Sequence, residues 1–258
     1  LDNVRNSPGR RIHSVAQASF EAWTKYYRPD ANTPNTTVSY YTKGALVGLC
    51  LDLTLRREGK TTLDAVVRAL YERCYAASNP PTGMTEHDVR AVLQDLGGRS
   101  FAREIAAWVH GTDELPVETL LQEAGIDLLK RDADLGRQWG LRCKEDGSIL
   151  VQAVFRGGAA EVAGFAPGDE WLGVEVEPTF PGAHTAWRVR SLADVKACLP
   201  PAAAQDKKDK KTPQRLTALV ARDRRLLRLN LELPAKAEPH WKLQIAADDG
   251  TRKNWPWA

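Results

Sequence analysis

The chain has 258 residues, 43% of them hydrophobic and 27% charged, which predicts a packed core in one large or two ordinary domains. Its formal net charge of +3, from 36 Lys+Arg against 33 Asp+Glu, is too small and too evenly spread to point to nucleic acid. No apolar run approaches the roughly 20 residues that cross a bilayer, so no membrane-spanning helix is expected.

The N-terminal half reads as helical. Ser14 caps a helix with Val15, Phe20, Trp23 and Tyr27 on one face, and the recurrence of Trp23, Tyr26 and Tyr27 at helical spacing assigns them to the core. Pro29, Asn32, Pro34 and Asn35 mark a loop. A second helix follows from about Tyr40 to Arg57; it is apolar all round, as expected of a central rod. Thr61 and Asp64 make a capping-box-like start to a third helix, with Leu63, Val66, Val67, Leu70 and Cys74 inward. Thr85 and Asp88 repeat that start, with Val89, Val92, Leu93 and Leu96 inward and Gly97-Gly98 as the stop. Helices over Phe101 to Val109 and Val117 to Ala124 complete the series, the last opened by Pro116 and closed by Gly125.

Near Leu135 the pattern changes to short apolar runs between turns. Gly140 to Cys143, Ile149 to Phe155, Glu170 to Val176, Leu216 to Arg222 and Leu226 to Leu233 read as strands, with short helices near Ala159 to Ala163 and Ser191 to Leu199. The Lys-rich run 200–213 reads as a solvated loop. Trp241, Trp255 and Trp257 in the last segment predict a tail that packs back on the body. Cys50, Cys74, Cys143 and Cys198 form no CxxC pair; Cys50 and Cys74 read as small core residues. The lack of a cysteine framework leans towards the cytoplasm, with the periplasm left open.

Ser19 to Gly44, with its SYYTKGA run, resembles the glycyl aminopeptidase family of zinc peptidases just downstream of their metal site, as do LDLTLRREGKTTLDAVVRAL and GTDELPVETLL. Trp139-Gly140-Leu141, GGAAEVAGFAPGDEWLGV and VARDRRLLRLNLEL resemble a PDZ domain. The resemblance implies a multi-domain α plus β fold. Residues 1–134 would be the helical C-terminal part of a thermolysin-like catalytic domain, 135–234 a PDZ-like β-barrel, and 235–258 the Trp-rich tail.

The family's chemistry needs two histidines one helical turn apart with a Glu between them. The histidines here are His13, His87, His110, His184 and His240, and no two are four residues apart. No metal site or cofactor is therefore expected within the chain, zinc belonging to the intact parent enzyme. With Leu1 as its first residue, the chain is expected to be a fragment, inactive alone and open to self-association through apolar surface its other half would cover.

What remains is the YxKG motif, here Tyr41-Thr42-Lys43-Gly44, whose Tyr serves related aminopeptidases as the donor to the oxyanion; the resemblance carries that role to Tyr41. Tyr40 is assigned a structural role, Lys43 an ion pair, Gly44 close helix packing, and Arg10 and Arg11 surface charge. The implied substrates are peptides with a free N-terminus of Gly or Ala type. By the PDZ resemblance, Trp139, Gly140, Leu141 and Arg142 line a peptide-binding groove whose other wall holds Leu192 and Val195. The alternatives are a non-catalytic peptide-binding module or a scaffold.

Overall fold

A computed structural model describes residues 1–76, 83–131, 134–176, 185–199, 214–233 and 240–245. The Lys-rich run 200–213, His184, Trp255 and Trp257 lie outside them.

The helical part runs through α1 (Asp2–Arg5), a 3-10 turn (Pro8–Arg11), α2 (Val15–Phe20), α3 (Thr33–Thr36), α4 (Tyr40–Arg57), α5 (Leu63–Tyr71), α6 (Glu86–Gly97), α7 (Ala102–Ile105) and α8 (Val117–Glu123). After α2, α5 and α7 the chain widens into single π-type turns, at Ala22–Tyr26, Glu72–Ala76 and Ala106–His110. Local chemistry sets the starts. Ser14 and Gln17 form a reciprocal capping box on α2, Thr85 and Asp88 another on α6, and Ser39 caps α4; each cap is worth about 1 kcal/mol. The third helix is capped by Thr62 rather than Thr61, because Thr62 Oγ1 is the acceptor that reaches the Ala65 amide, at 3.2 Å.

Helix α4 is the rod of this part. Val47, Leu51 and Leu55 pack with Val66, Leu70, Val92, Leu93, Phe101 and Ile105 on one side. Cys50 and Leu53 pack with Val117, Leu120, Leu121 and Leu128 on the other. The expected core aromatics of the first helix are a correction. Phe20 is 90% exposed and Trp23 78%, Tyr27 is exposed, and Tyr26 is half-buried. The buried stripe there is the small one, Ala18 and Ala22, so this helix lies close on its neighbours and turns its rings outward. Val67 and Leu96 likewise point outward.

The second part holds β1 (Ile126–Arg131), α9 (Leu135–Trp139), β2 (Leu141–Glu145), β3 (Ile149–Val154), α10 (Ala159–Ala163), β4 (Glu170–Val176), β5 (Thr185–Arg188), α11 (Leu192–Ala197), β6 (Gln214–Arg222), β7 (Arg225–Leu233) and β8 (His240–Ile245). Six strands form an antiparallel sheet in the order β2-β3-β4-β6-β7, with β5 beside β4. Asp223 and Arg224, at φ 49° and 65°, make the two-residue turn between β6 and β7, matching the twist of the paired strands. The sheet buries Trp139, Leu141, Ile149, Val151, Trp171, Val174, Val195, Val220 and Leu231 in one cluster. The architecture is thus mixed α plus β with an antiparallel sheet. The expected barrel closure is not seen: among the described residues β2 and β7 are edges that do not pair.

Strands β1 and β8 were not expected. They pair antiparallel from Ile126 with Ile245 to Arg131 with His240, so the chain returns to the end of the helical part. Among the described residues no helix is long and apolar enough to cross a membrane.

A loop of the helical part also reaches the six-stranded sheet. The Asn35 side-chain amide donates to the Val154 carbonyl at 2.7 Å, and its oxygen accepts from the Arg156 amide at 2.9 Å. From the other side Ser7 Oγ donates to the Pro34 carbonyl at 2.9 Å. A Cβ at Gly9 would lie 2.2 Å from the Thr37 carbonyl oxygen, so only glycine permits this backbone contact.

Candidate active site

Four of the chain's six tyrosines fall in residues 26–41, and the fold gathers their rings at the head of α4. The Ser39 cap fixes the first turn, and the loop from Arg28 to Val38 folds back so that Tyr26 and Tyr27 meet Tyr40 and Tyr41. Tyr26 meets the other three edge-on, with ring centres 5.3 Å from Tyr27, 5.3 Å from Tyr40 and 5.7 Å from Tyr41, the geometry that ring quadrupoles favour. Tyr40 and Tyr41 lie tilted at 4.2 Å.

The phenols form a chain. Tyr27 Oη is 2.8 Å from Tyr41 Oη and 3.2 Å from Tyr40 Oη, and Ser39 Oγ donates to Tyr26 Oη at 3.4 Å. The hydrogen bond from Tyr27, then that from Tyr40, holds the Tyr41 pKa below its ordinary value. Tyr40 moves the opposite way, raised by its bonds to Tyr27 and Tyr41. In both pairs either phenol can be the donor, so the Tyr41 hydroxyl can hold a bond to Tyr27 and still offer a proton outward. Tyr41 is 55% exposed, so its hydroxyl can reach a ligand.

Lys43, one turn below, is buried at 2% exposure, and its Nζ donates to the Arg10 carbonyl at 3.3 Å. Burial lowers its pKa, while Glu114 acts to raise it. Through this carbonyl Lys43 anchors the N-terminal segment to α4. Gly44 is not tightly packed: a Cβ there would meet its nearest neighbour, Val15 Cγ1, at 4.0 Å. His13 Nδ1 lies 2.7 Å from Thr37 Oγ1 and its Nε2 3.4 Å from Glu21, which also pairs with Lys25; burial lowers the His13 pKa.

The residues expected in a peptide groove lie in the sheet part. Trp139 is 2% exposed and packs 5.8 Å from Trp171; Leu141, Leu192 and Val195 are in the same core, and Arg142 points to solvent. Gly140 has φ +77°, and a Cβ on it would sit 2.7 Å from Gly158 Cα. Helix α9 seats at one end of this region: a Cβ on Gly136 would lie 3.0 Å from the Leu141 carbonyl oxygen and 3.3 Å from Leu192 Cδ1. The fold thus holds two separate candidate sites, the tyrosine cluster and the β2–α11 region.

Among the described residues no three His, Cys, Asp or Glu side chains come together to hold a metal ion, so these residues do not fit a zinc site. Cys50 and Cys143 are pushed up to about 12 by burial, which suits inert thiols rather than ligands or nucleophiles.

Residues 1–47, which end within the first half of α4 and include the whole tyrosine cluster, match the model of the M61 glycyl aminopeptidases. That segment is similar to the glycyl aminopeptidases. The match covers the N-terminal segment, the tyrosines and Lys43, and the remainder of the chain rests on likeness of fold. That likeness is to the crystal structure of an aminopeptidase N family protein from Idiomarina loihiensis, 24% identical, with a TM-score of 0.76 over 98% of this chain and 42% of that one. The chain therefore spans less than half the length of that protein. No curated protein matches it. Tyr27 and Asn35 carry no motif that would single them out as functional; the density of tyrosines over 26–41 is the signal that marks the cluster.

Proposed function

We propose that this chain is the distal part of a zinc-dependent aminopeptidase, with Tyr41 as the donor to the oxyanion formed when the peptide bond next to a free N-terminus is attacked. The single observation that carries this reading is the exposed Tyr41 hydroxyl, held at 2.8 Å by Tyr27 within a family-matching segment. A developing oxyanion needs a donor already in place. A phenol that accepts from a neighbouring phenol becomes a stronger acid, and so a stronger donor, while remaining the donor itself. Tyr41 has the required exposure, and Tyr27 and Tyr40 limit its rotation. Zinc, in this reading, is held by residues outside these 258. Gly- or Ala-type N-termini are the substrates the family suggests.

The test is Tyr41→Phe in the longer polypeptide that bears these residues. Turnover of a glycyl substrate should fall about 10²–10³-fold with KM little changed. An unchanged turnover in a folded variant removes Tyr41 from the mechanism. The 258-residue chain alone should not cleave the same substrate, and chelator-sensitive cleavage by it would overturn the division of labour.

A second reading, a PDZ-like peptide-binding module over 135–234, is favoured by one observation. Strand β2 pairs with β3 on one side, and its other edge is unpaired among the described residues. An extended peptide could add there as a further strand. Absence of any binding by the chain from a peptide library at millimolar concentration would end that reading.

A further inference from the structure

A cleft of about 290 Å³ lies between the N-terminal segment and the sheet part, away from the tyrosines. Arg5, Arg10 and Arg11 line one wall, and Arg137 and Arg156 the other, with no Asp or Glu in its lining. Carboxylates that answer these arginines stand outside its lining. Glu114 serves both Arg10, at 2.9 Å, and Arg11, at 3.2 Å; Glu118 reaches Arg5 at 3.7 Å, and Asp134 holds Arg137 at 3.0 Å. Arg156 is exposed, and among the described residues no carboxylate pairs with it.

The two walls are held in place by the joint already described. Gly9 and Ser7 fix the Arg10-Arg11 turn to the loop at 34–37, and Asn35 in that loop fixes Val154 and Arg156. The Gly140–Gly158 backbone contact closes the floor. Arg10 is already held by Glu114 and the Ser7 carbonyl, and arginines on both walls of a cleft with no Asp or Glu in its lining suit planar anions.

We propose that this cleft binds the clustered carboxylates of an acidic peptide. Carboxylate is favoured over phosphate because the loop offers no nest of free amides of the kind phosphate sites use. The Arg156 amide is taken by Asn35 at 2.9 Å, the Gly157 amide by Glu161 at 2.6 Å and the Gly158 amide by Phe155 at 3.1 Å. The cleft shares only Gly140 with the β2–α11 candidates and none of its residues with the tyrosine cluster, so the proposal stands independently of the role given to Tyr41.

The experiment is fluorescence anisotropy of the 258-residue chain with labelled hexaglutamate and hexaglutamine at near-physiological salt. Hexaglutamate should bind at least about tenfold more tightly. Arg11→Gln with Arg156→Gln should weaken it at least about tenfold, while Arg103→Gln with Arg225→Gln, which removes the same charge elsewhere on the surface, should not. Arg156→Lys should weaken it by a smaller factor, since the charge stays and the fork is lost. Melting curves establish that each variant is folded, and the single Arg156→Gln variant replaces the pair if the pair unfolds. Equal binding of the two peptides, or equal loss in the distant pair, overturns the proposal. So does displacement of the peptide by inorganic phosphate at lower concentration than by glutarate.

Discussion

The side-chain amide of Asn35 reaches the carbonyl of Val154, 119 positions further along the chain, at 2.7 Å. That bond, with the one from the Arg156 amide, holds the helical part to the sheet through a single buried residue. Replacing it leaves a backbone acceptor and a backbone donor without partners at the joint. Asn35→Ala should therefore destabilise the chain by about 2–3 kcal/mol, read as a shift in the urea midpoint. Asn35→Asp should not rescue it, because a carboxylate cannot donate to Val154. A midpoint unchanged in both variants would show that the joint rests on packing instead.

Tyr27 and Tyr41 make a second test. The bond from Tyr27 is the largest cause of the lowered Tyr41 pKa, so Tyr27→Phe should move the first phenolate seen by ultraviolet titration upward, towards about 10. The sign for stability follows. As pH rises through the lowered pKa of Tyr41, the folded form releases a proton that the unfolded form still holds, and folding is favoured. Above about 10 the raised pKa of Tyr40 reverses this, since the folded form then keeps a proton the unfolded form has lost. A stability profile in alkaline solution that is identical in wild type and Tyr27→Phe would show that the phenols are not linked.

The sequence made legible what is decided within a few residues. The cap at Ser14 and the box of Thr85 with Asp88 obey a local rule and were expected, and α10 falls on the expected residues. Pairings set by distant residues were not readable. Nothing near Ile126 announces that its partner is Ile245, and Asn35 reads as an ordinary loop residue until Val154 is beside it. Periodicity located the aromatic face of Phe20 and Trp23 but could not say what would cover it. Tyr41 was singled out by its motif, whereas Tyr27 lay 14 positions away across a proline-containing loop.

Trp139 and Gly140 bear on how the sheet part is built. Trp139 fills the core beside Trp171, so Trp139→Ala should cost about 3–5 kcal/mol, the range for emptying a large buried aromatic. Gly140→Ala meets both a positive φ and the Gly158 backbone at 2.7 Å, and should cost at least about 1–2 kcal/mol. Thermal melts of both variants check this. If Trp139→Ala melts like wild type, its ring is not a core element, and a surface role for it gains ground.

Asp169 carries the last test. The turn at Gly168-Asp169 has the form of a local loop, in which the Ala166 amide donates to Asp169 Oδ2 at 2.8 Å. Its larger commitment is distant: Arg222 on β6 grips both carboxylate oxygens, at 2.6 and 2.8 Å, and extends to the Gly164 carbonyl at 2.7 Å. Asp169 is fully buried while Arg222 is half-exposed, so the two ends of the pair are not equivalent. Arg222→Leu strands a buried carboxylate and should cost about 3–5 kcal/mol. Asp169→Asn keeps an acceptor for the Ala166 amide and leaves the guanidinium free to turn to water, so it should cost clearly less. Denaturant midpoints giving the reverse order would mean that the turn, rather than the ion pair, sets the stability of this corner of the sheet.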